Sequence, residues 1–440
     1  MYDAVAVDLG ASSIRFAHGK LLDGAIQFDI IKQIPNTPNG RCWDLELLAG
    51  FCREGAEFAS RKGASLGIDS WGVDIGFLDS NGLPHSEPVM YRDTSHVVAA
   101  QDLADKHQDF FHETGVAFQP FNTVFQLMAR AREDSSYKNL SWLPLPDFLG
   151  YLMTGVKNAE LTECSTTQLM TKFGSWSQDV FDAIGWPVPE VELRAPGHVL
   201  GHFDRVPVVS VASHDTASAI VGSGSIEPGD IYLVLGTWAL LGVLLPGADV
   251  SVKAWEGGWT NERAHDGRIR FLKNIPGLYI ANRLHEELRI RESVGSWIES
   301  AEFSEDMVVD PLHQELYAPR SMSKAVASLL PRDPANWKEW AGCAVGSLIY
   351  GIGAGVCEII DLGHIVSKIK VMGGGSRSAR ICQMIADRTG VPVETGPVEA
   401  TVLGNLALQF VASGALDISQ VPGVLAASHR PATFIPRAGQ

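Results

Sequence analysis

One short layout occurs twice in this chain, once at the start of each half, and it restricts the fold more than any other feature. An apolar run from Ala4 to Val7 leads into Asp8-Leu9-Gly10-Ala11-Ser12-Ser13 and then a second strand-like run, Ile14 to Ala17. Ile231 to Leu235 leads into Gly236-Thr237 and then into Ala239 to Leu245. Each copy reads as a β-hairpin whose turn is built of small and hydroxyl residues. The chain has 440 residues, enough for two substantial cores.

Strand-like and helix-like patterns alternate elsewhere too, which predicts α/β architecture. Ser65 to Asp79 reads as a second strand pair, closed by the turn Asp79-Ser80-Asn81-Gly82. Pro207 to Ala212 reads as a β-branched strand, after which Ser213-His214-Asp215 opens a helix from Thr216 to Val221. The clusters Gly222-Ser223-Gly224-Ser225 and Pro228-Gly229 look flexible and turn-forming. They set an expected boundary between domains 1–222 and 223–440. In the second half a βαβ unit is expected: strand Lys368 to Met372, Gly373-Gly374-Gly375, a helix from Ser376 to Thr389, and strand Val391 to Glu394.

Composition removes several classes. With 45% hydrophobic and 20% charged residues the chain can bury enough surface to fold. A formal charge of −16 and the lack of any Lys/Arg-rich run argue against a nucleic-acid or anionic-membrane partner. The uncharged stretch Ala341 to Cys357 is short for a membrane span and rich in glycine, so a closely packed internal helix is expected. No secretory pattern is visible at the N-terminus. The six cysteines show no zinc spacing, which suggests reduced thiols in a cytoplasmic protein.

Two glycine/hydroxyl turns can cradle phosphate, because glycine admits close backbone approach and the N–H groups and hydroxyls donate. Either turn alone is also ordinary hairpin chemistry. The triple glycine, with Glu394 beyond it, resembles a dinucleotide fingerprint, but Ser378 stands where the third glycine belongs. No P-loop occurs. Gly63-Ala64-Ser65-Leu66-Gly67 fits G-x-S-x-G, with helix and strand in the wrong order for a nucleophile elbow. Asp8 ends a strand beside the first turn, where it is either a turn residue or a ligand of hydrated Mg²⁺. Asp215 is either a helix N-cap or a general base for a sugar hydroxyl.

Taken in order, the segments AVDLGASSIR (Ala6 to Arg15), GIDSWGVD (Gly67 to Asp74), YRD (Tyr91 to Asp93), FNTVFQL (Phe121 to Leu127), LPDFLGYLMTG (Leu145 to Gly155) and TECSTTQL (Thr162 to Leu169) resemble the FGGY family of sugar kinases, within the actin-like ATPase superfamily. VASHDTASA (Val211 to Ala219), GTWALLG (Gly236 to Gly242), LKNIPGL (Leu272 to Leu278), MGGGS (Met372 to Ser376) and GPVEATVLGN (Gly396 to Asn405) continue the series through the second half. The resemblance implies two ribonuclease H-like domains flanking a central cleft. It implies ATP and Mg²⁺ as cofactors and a ketose phosphorylated at its primary hydroxyl, with L-rhamnulose, made into its 1-phosphate, as the first choice and L-fuculose as a rival. The N-terminal domain would bind sugar and the C-terminal domain nucleotide, in a monomer or homodimer.

Carried over position by position, Ala11, Ser12, Ser13, Ile14 and Arg15 would form the first phosphate loop. Trp71 and Gly72 would line the sugar pocket. His214, Asp215 and Thr216 would contact the sugar, with Asp215 as base, and Asn274 would bind sugar. Thr237 would sit at the second phosphate turn, Asn282 beside the nucleotide, and Gly373, Gly374 and Gly375 close to it. Ile14 replaces a usual glycine, Ser95 a frequent arginine, and Asn282 an expected glutamine. The rival classes are a catalytically silent sugar or nucleotide sensor on the same fold and, on the glycine motif alone, a nicotinamide dehydrogenase.

Overall fold

The structure, a computed structural model, describes residues 2–317 and 319–437. The chain forms two compact units. The first comprises residues 1–225, 245–271 and 400–428, and the second comprises 226–244, 272–399 and 429–440. Two segments expected in the second half therefore fold with the first.

In the first unit, β1 (Tyr2–Leu9), β2 (Ser13–Leu22) and β3 (Ala25–Pro35) form an antiparallel meander. After α1 (Leu45–Lys62) the chain returns as β4 (Ser65–Ser70), parallel to β1. The strand Val206–Ser210 then adds parallel to β4, and His198–Phe203 closes the edge. The sheet order is thus β3, β2, β1, β4, Val206–Ser210, His198–Phe203.

Side-chain alternation along β1 explains how this sheet is covered on both faces. Val5, Val7 and Leu9 face a core shared with α1, whereas Ala4 and Ala6 face the helices Asp215–Gly222 and Ala400–Ala412. α1 begins at Asp44, whose carboxylate accepts from the amide of Leu47, and stops at Gly63 with φ of 65°.

The second unit repeats the plan. The second sheet runs Thr260–Arg263, Ile269–Pro276, Trp238–Leu245, Asp230–Leu235, Lys368–Met372, Val393–Thr395 and Thr433–Phe434. Asp230–Leu235 is antiparallel to Trp238–Leu245 and parallel to Lys368–Met372, as β1 is to β2 and β4. The duplicated hairpin seen in the sequence is thus the nucleus of two sheets with the same strand plan.

Four expectations are corrected. Ser65 to Asp79 is not a strand pair: β4 joins the large sheet, while Ile75–Leu78 pairs with Ser141–Pro144. The helix after the triple glycine starts at Ala379, because Ser378 caps it and Gly374–Arg377 forms a 3₁₀ turn. The following strand is Val393–Thr395. Gly222 is no flexible joint: it ends a helix, and a Cβ there would lie 1.8 Å from the carbonyl oxygen of Ala400.

Among the described residues one helix, Trp337–Asp361, is long and apolar enough to cross a membrane, and 72% of its apolar window is buried inside the protein. That is the internal helix expected over Ala341 to Cys357. Cysteines 42, 52, 164, 343, 357 and 382 are free, with no disulfide among the described residues.

Candidate active site

Three parallel strands of the first unit end at one edge, and each delivers a carboxylate there. Asp8 and Asp69 are register partners on β1 and β4. A bridge between Ser70 and His214 carries the alignment on to Asp215. The carboxyl ends of parallel strands are where α/β sheets bind ligands. Asp69 was not singled out in the sequence, and only sheet register reveals it.

The environments of the three differ. Arg15 binds Oδ2 of Asp8 through Nε at 2.9 Å and Nη2 at 2.5 Å. Asp69 is fully buried, takes a hydrogen bond from Asn405 Nδ2, and has no partner on Oδ1. Burial first, and then the charge of Asp8, holds the Asp69 carboxyl well above the carboxylate range. Burial and Asp8 likewise push Asp215 up to about 7. A carboxyl poised there is matched to base catalysis near neutral pH.

The N-cap alternative for Asp215 falls. His214 occupies the cap position and Asp215 is the first helical residue of Asp215–Gly222, accepting from the Thr216 hydroxyl at 3.1 Å. The loop before it is held by Glu160. That buried carboxylate accepts from the amide and hydroxyl of Ser213 (3.0 and 2.8 Å) and from the Thr162 hydroxyl.

Trp71 and Gly72 lie beside this loop. His214 Nε2 and the Thr166 side chain lie 3.2 Å from where a Gly72 Cβ would stand, so the loop closes on a bare backbone. The next residue, Val73, has φ of 74°, a costly conformation for a β-branched side chain. It is over-determined: Val73 donates to Glu163 and Thr166 and accepts from Thr123 and Gln126. Asp74 then accepts from the indoles of Trp71 and Trp43 at 2.7 and 2.6 Å, while burial lifts its pKa to about 7. Trp71 thus offers only its ring to a ligand. No local pattern announces this strain, because two distant segments, around Thr123 and around Glu163, impose it.

The first glycine turn is tight. Gly10 donates to the Ser13 carbonyl at 3.0 Å, and a Cβ on Gly10 would stand 2.7 Å from that oxygen. Asn36 fastens the turn, its side chain donating to the Gly10 carbonyl and its amide to that of Ser12. Ala11 and Ser12 lie in the turn, and Ser13 starts β2. Ile14 is different: its side chain is fully buried in the core, so this residue can face a ligand only through its backbone. Ser95, at a second of the three departures, is bonded by Arg41 and Arg130.

The second unit assembles its own group. The amides of Leu278 and Tyr279 donate to the carbonyls of Gly236 and Thr237, seating the helix Tyr279–Glu287 on the second turn. Gly277 permits this, since its Cβ would fall 2.7 Å from the Gly236 oxygen. Asn282 is exposed on that helix, and Asn274 is half-buried on the strand Ile269–Pro276. Gly373, with φ of 80°, and Gly375 press on Leu235 at the end of the neighbouring parallel strand, whereas Gly374 faces open space. Glu394 is engaged by Lys368 and Lys370, and the mixed sheet is not that of a dinucleotide-binding dehydrogenase.

Among the described residues no three His, Cys, Asp or Glu side chains form a metal cage. Mg²⁺ is commonly held by one or two carboxylates together with substrate phosphates. Asp8, beside the first turn, fits that manner of binding.

Solved structures share the fold: the ligand-bound xylulose kinase from Lactobacillus acidophilus has a TM-score of 0.82 at 14% identity, over 99% of this chain and 94% of that one. The Plasmodium falciparum glycerol kinase with ADP has a TM-score of 0.75 at 17% identity, over 99% and 94%. The fold is therefore the one that these solved kinases share. Residues 231–413 match the C-terminal domain of the FGGY family of carbohydrate kinases. A rhamnulokinase from Mannheimia succiniciproducens is 34% identical over 92% of this chain and 89% of its own. One from Pectobacterium atrosepticum is 35% identical over 99% and 93%. The chain belongs to the FGGY family of carbohydrate kinases, phosphotransferases that use ATP.

Proposed function

We propose that this enzyme phosphorylates L-rhamnulose at its 1-hydroxyl, giving L-rhamnulose 1-phosphate and ADP. The observation that carries the chemistry is Asp215: a carboxyl held at about 7, at the edge where three parallel strands end. The rhamnulokinases at 34 and 35% identity support the choice of sugar.

In this reading the first unit activates the sugar. Asp215 takes the proton from the 1-hydroxyl, and His214, Thr216, Gly72 and the ring of Trp71 orient the ketose. Ala11 to Arg15 present backbone donors and a guanidinium to phosphate. The second unit holds nucleotide through the Gly236-Thr237 turn, the Tyr279 helix with Asn282, and Gly373 to Gly375. Asp8 would hold Mg²⁺, which when bound neutralises charge on the phosphate oxygens. Positioning and charge stabilisation supply most of the acceleration in such transfers. The unpaired cysteines and the need for ATP suit a cytoplasmic setting.

ADP release measured against L-rhamnulose, L-fuculose and D-xylulose tests the assignment. L-Rhamnulose should give the highest kcat/KM. About tenfold better turnover of another ketose would overturn the choice of sugar, and no turnover of any ketose would overturn the kinase reading in favour of a sensor.

A further inference from the structure

Arg270 is fully buried on the strand Ile269–Pro276, within the part of that strand that belongs to the first unit. Its Nε donates to the carbonyl of Arg263 at 2.9 Å. Its Nη2 lies 3.0 Å from Nδ1 of His214 and 3.0 Å from the Glu262 carboxylate. Nη1 has no hydrogen-bond partner. A buried ion pair with an unsatisfied donor is a poor device for stability, since desolvation offsets most of the attraction.

Its chemical consequence for the imidazole is definite. A guanidinium has only N–H donors and keeps its proton in proteins. His214 Nδ1 must therefore accept, and the one proton of a neutral ring sits on Nε2. Burial and the charge of Arg270 keep the ring neutral by moving its pKa well below the ordinary value. Nε2 faces Oδ1 of Asp215 at 3.5 Å and the bare face of Gly72. The ionisable groups facing the ring are Arg270 on the strand Ile269–Pro276, Glu262 on the strand Thr260–Arg263, and Asp215 next in the chain.

We propose that Arg270, with Glu262 as its counter-ion, is a positioning residue that fixes His214 as an Nε2–H donor above Gly72. In that state the ring offers a hydrogen bond to an acceptor oxygen of the sugar and cannot take the hydroxyl proton, which leaves Asp215 as the base. The inference rests on the reading of Asp215 given above, but its primary test does not require turnover.

Nitrogen NMR of the ligand-free protein labelled with ¹⁵N-histidine reads the tautomer directly, with the His214 signals assigned by their loss in His214→Gln. Wild type should show a bare Nδ1 and a protonated Nε2 throughout about pH 5 to 8, where an ordinary histidine titrates. Arg270→Met should abolish that fixed state and raise the sugar KM about tenfold or more, with the KM for ATP unchanged. A proton on Nδ1 in wild type, or titration of His214 in that range, would overturn the proposal even if the variant failed to fold. So would a folded Arg270→Met protein with the same tautomer and sugar KM. Absence of kinase activity with the expected tautomer would instead count against the proposed function alone.

Discussion

Gly404 crosses Gly222 so closely that a Cβ on either would stand 1.8 Å from a carbonyl oxygen of the other helix, Ser218 for Gly404 and Ala400 for Gly222. This contact joins the helix that begins with Asp215 to the helix that carries Asn405. From there Asn405 reaches Asp69, and Gln409, one turn on, bonds Asn405, Ser65 and the carbonyl of Val5. Two glycines thus set the distance between the Asp215 helix and the polar ladder beneath the sheet.

Gly404→Ala tests that crossing. Alanine improves helix propensity by about 1 kcal/mol, but backbone cannot yield to a methyl at this distance, and overpacking should prevail. A net loss of at least about 2 kcal/mol in denaturant unfolding is expected. A variant as stable as wild type would show that the helices do not meet this closely.

Asp215→Asn keeps the side-chain size while removing the carboxylate. Because His214 is the cap, the helix start is unaffected by the change. The fold should persist and kcat should fall by roughly 10²–10⁴. A folded variant that retains more than about a tenth of the wild-type rate would exclude Asp215 as the base.

The raised pKa of Asp215 fixes two signs. Only its ionised form accepts a proton, so kcat should climb with pH through a limb near 7. For stability the direction is opposite. The folded state holds a proton that the unfolded chain releases near the ordinary carboxylate value, so this contribution is complete below that value and lost as pH rises through about 7. Asp215→Asn should therefore melt progressively higher relative to wild type as pH is raised from about 5.5 to about 8.5. A gap that shrinks over that interval would contradict the raised pKa.

Gly277→Ala addresses the second unit. The added methyl would meet Gly236 and Trp238 and lift the Tyr279 helix from its turn. The KM for ATP should rise about tenfold or more, as misplacements near 1 Å do, with little effect on sugar KM. An unchanged KM for ATP would remove this turn from the nucleotide site.

Local pattern is enough to read the duplicated hairpin, the strand Lys368 to Met372, the internal helix after Ala341, Asp8 at a strand end and Asp215 at the opening of a helix. Each of these depends on neighbours within a few residues, where side-chain period and turn chemistry act. The motif series also carried the family. Tertiary structure decided the rest. Asp69 becomes a site residue only through parallel register with Asp8, and its partner Asn405 lies 336 residues away in the chain. The strain at Val73 exists because Thr123, Gln126, Glu163 and Thr166 all converge on it. Arg270 reads in the sequence as one more strand arginine, and only folding buries it against His214. Propensity and periodicity act over one turn or one strand, whereas burial, register and the pKa values that follow from them arise when distant segments exclude water together.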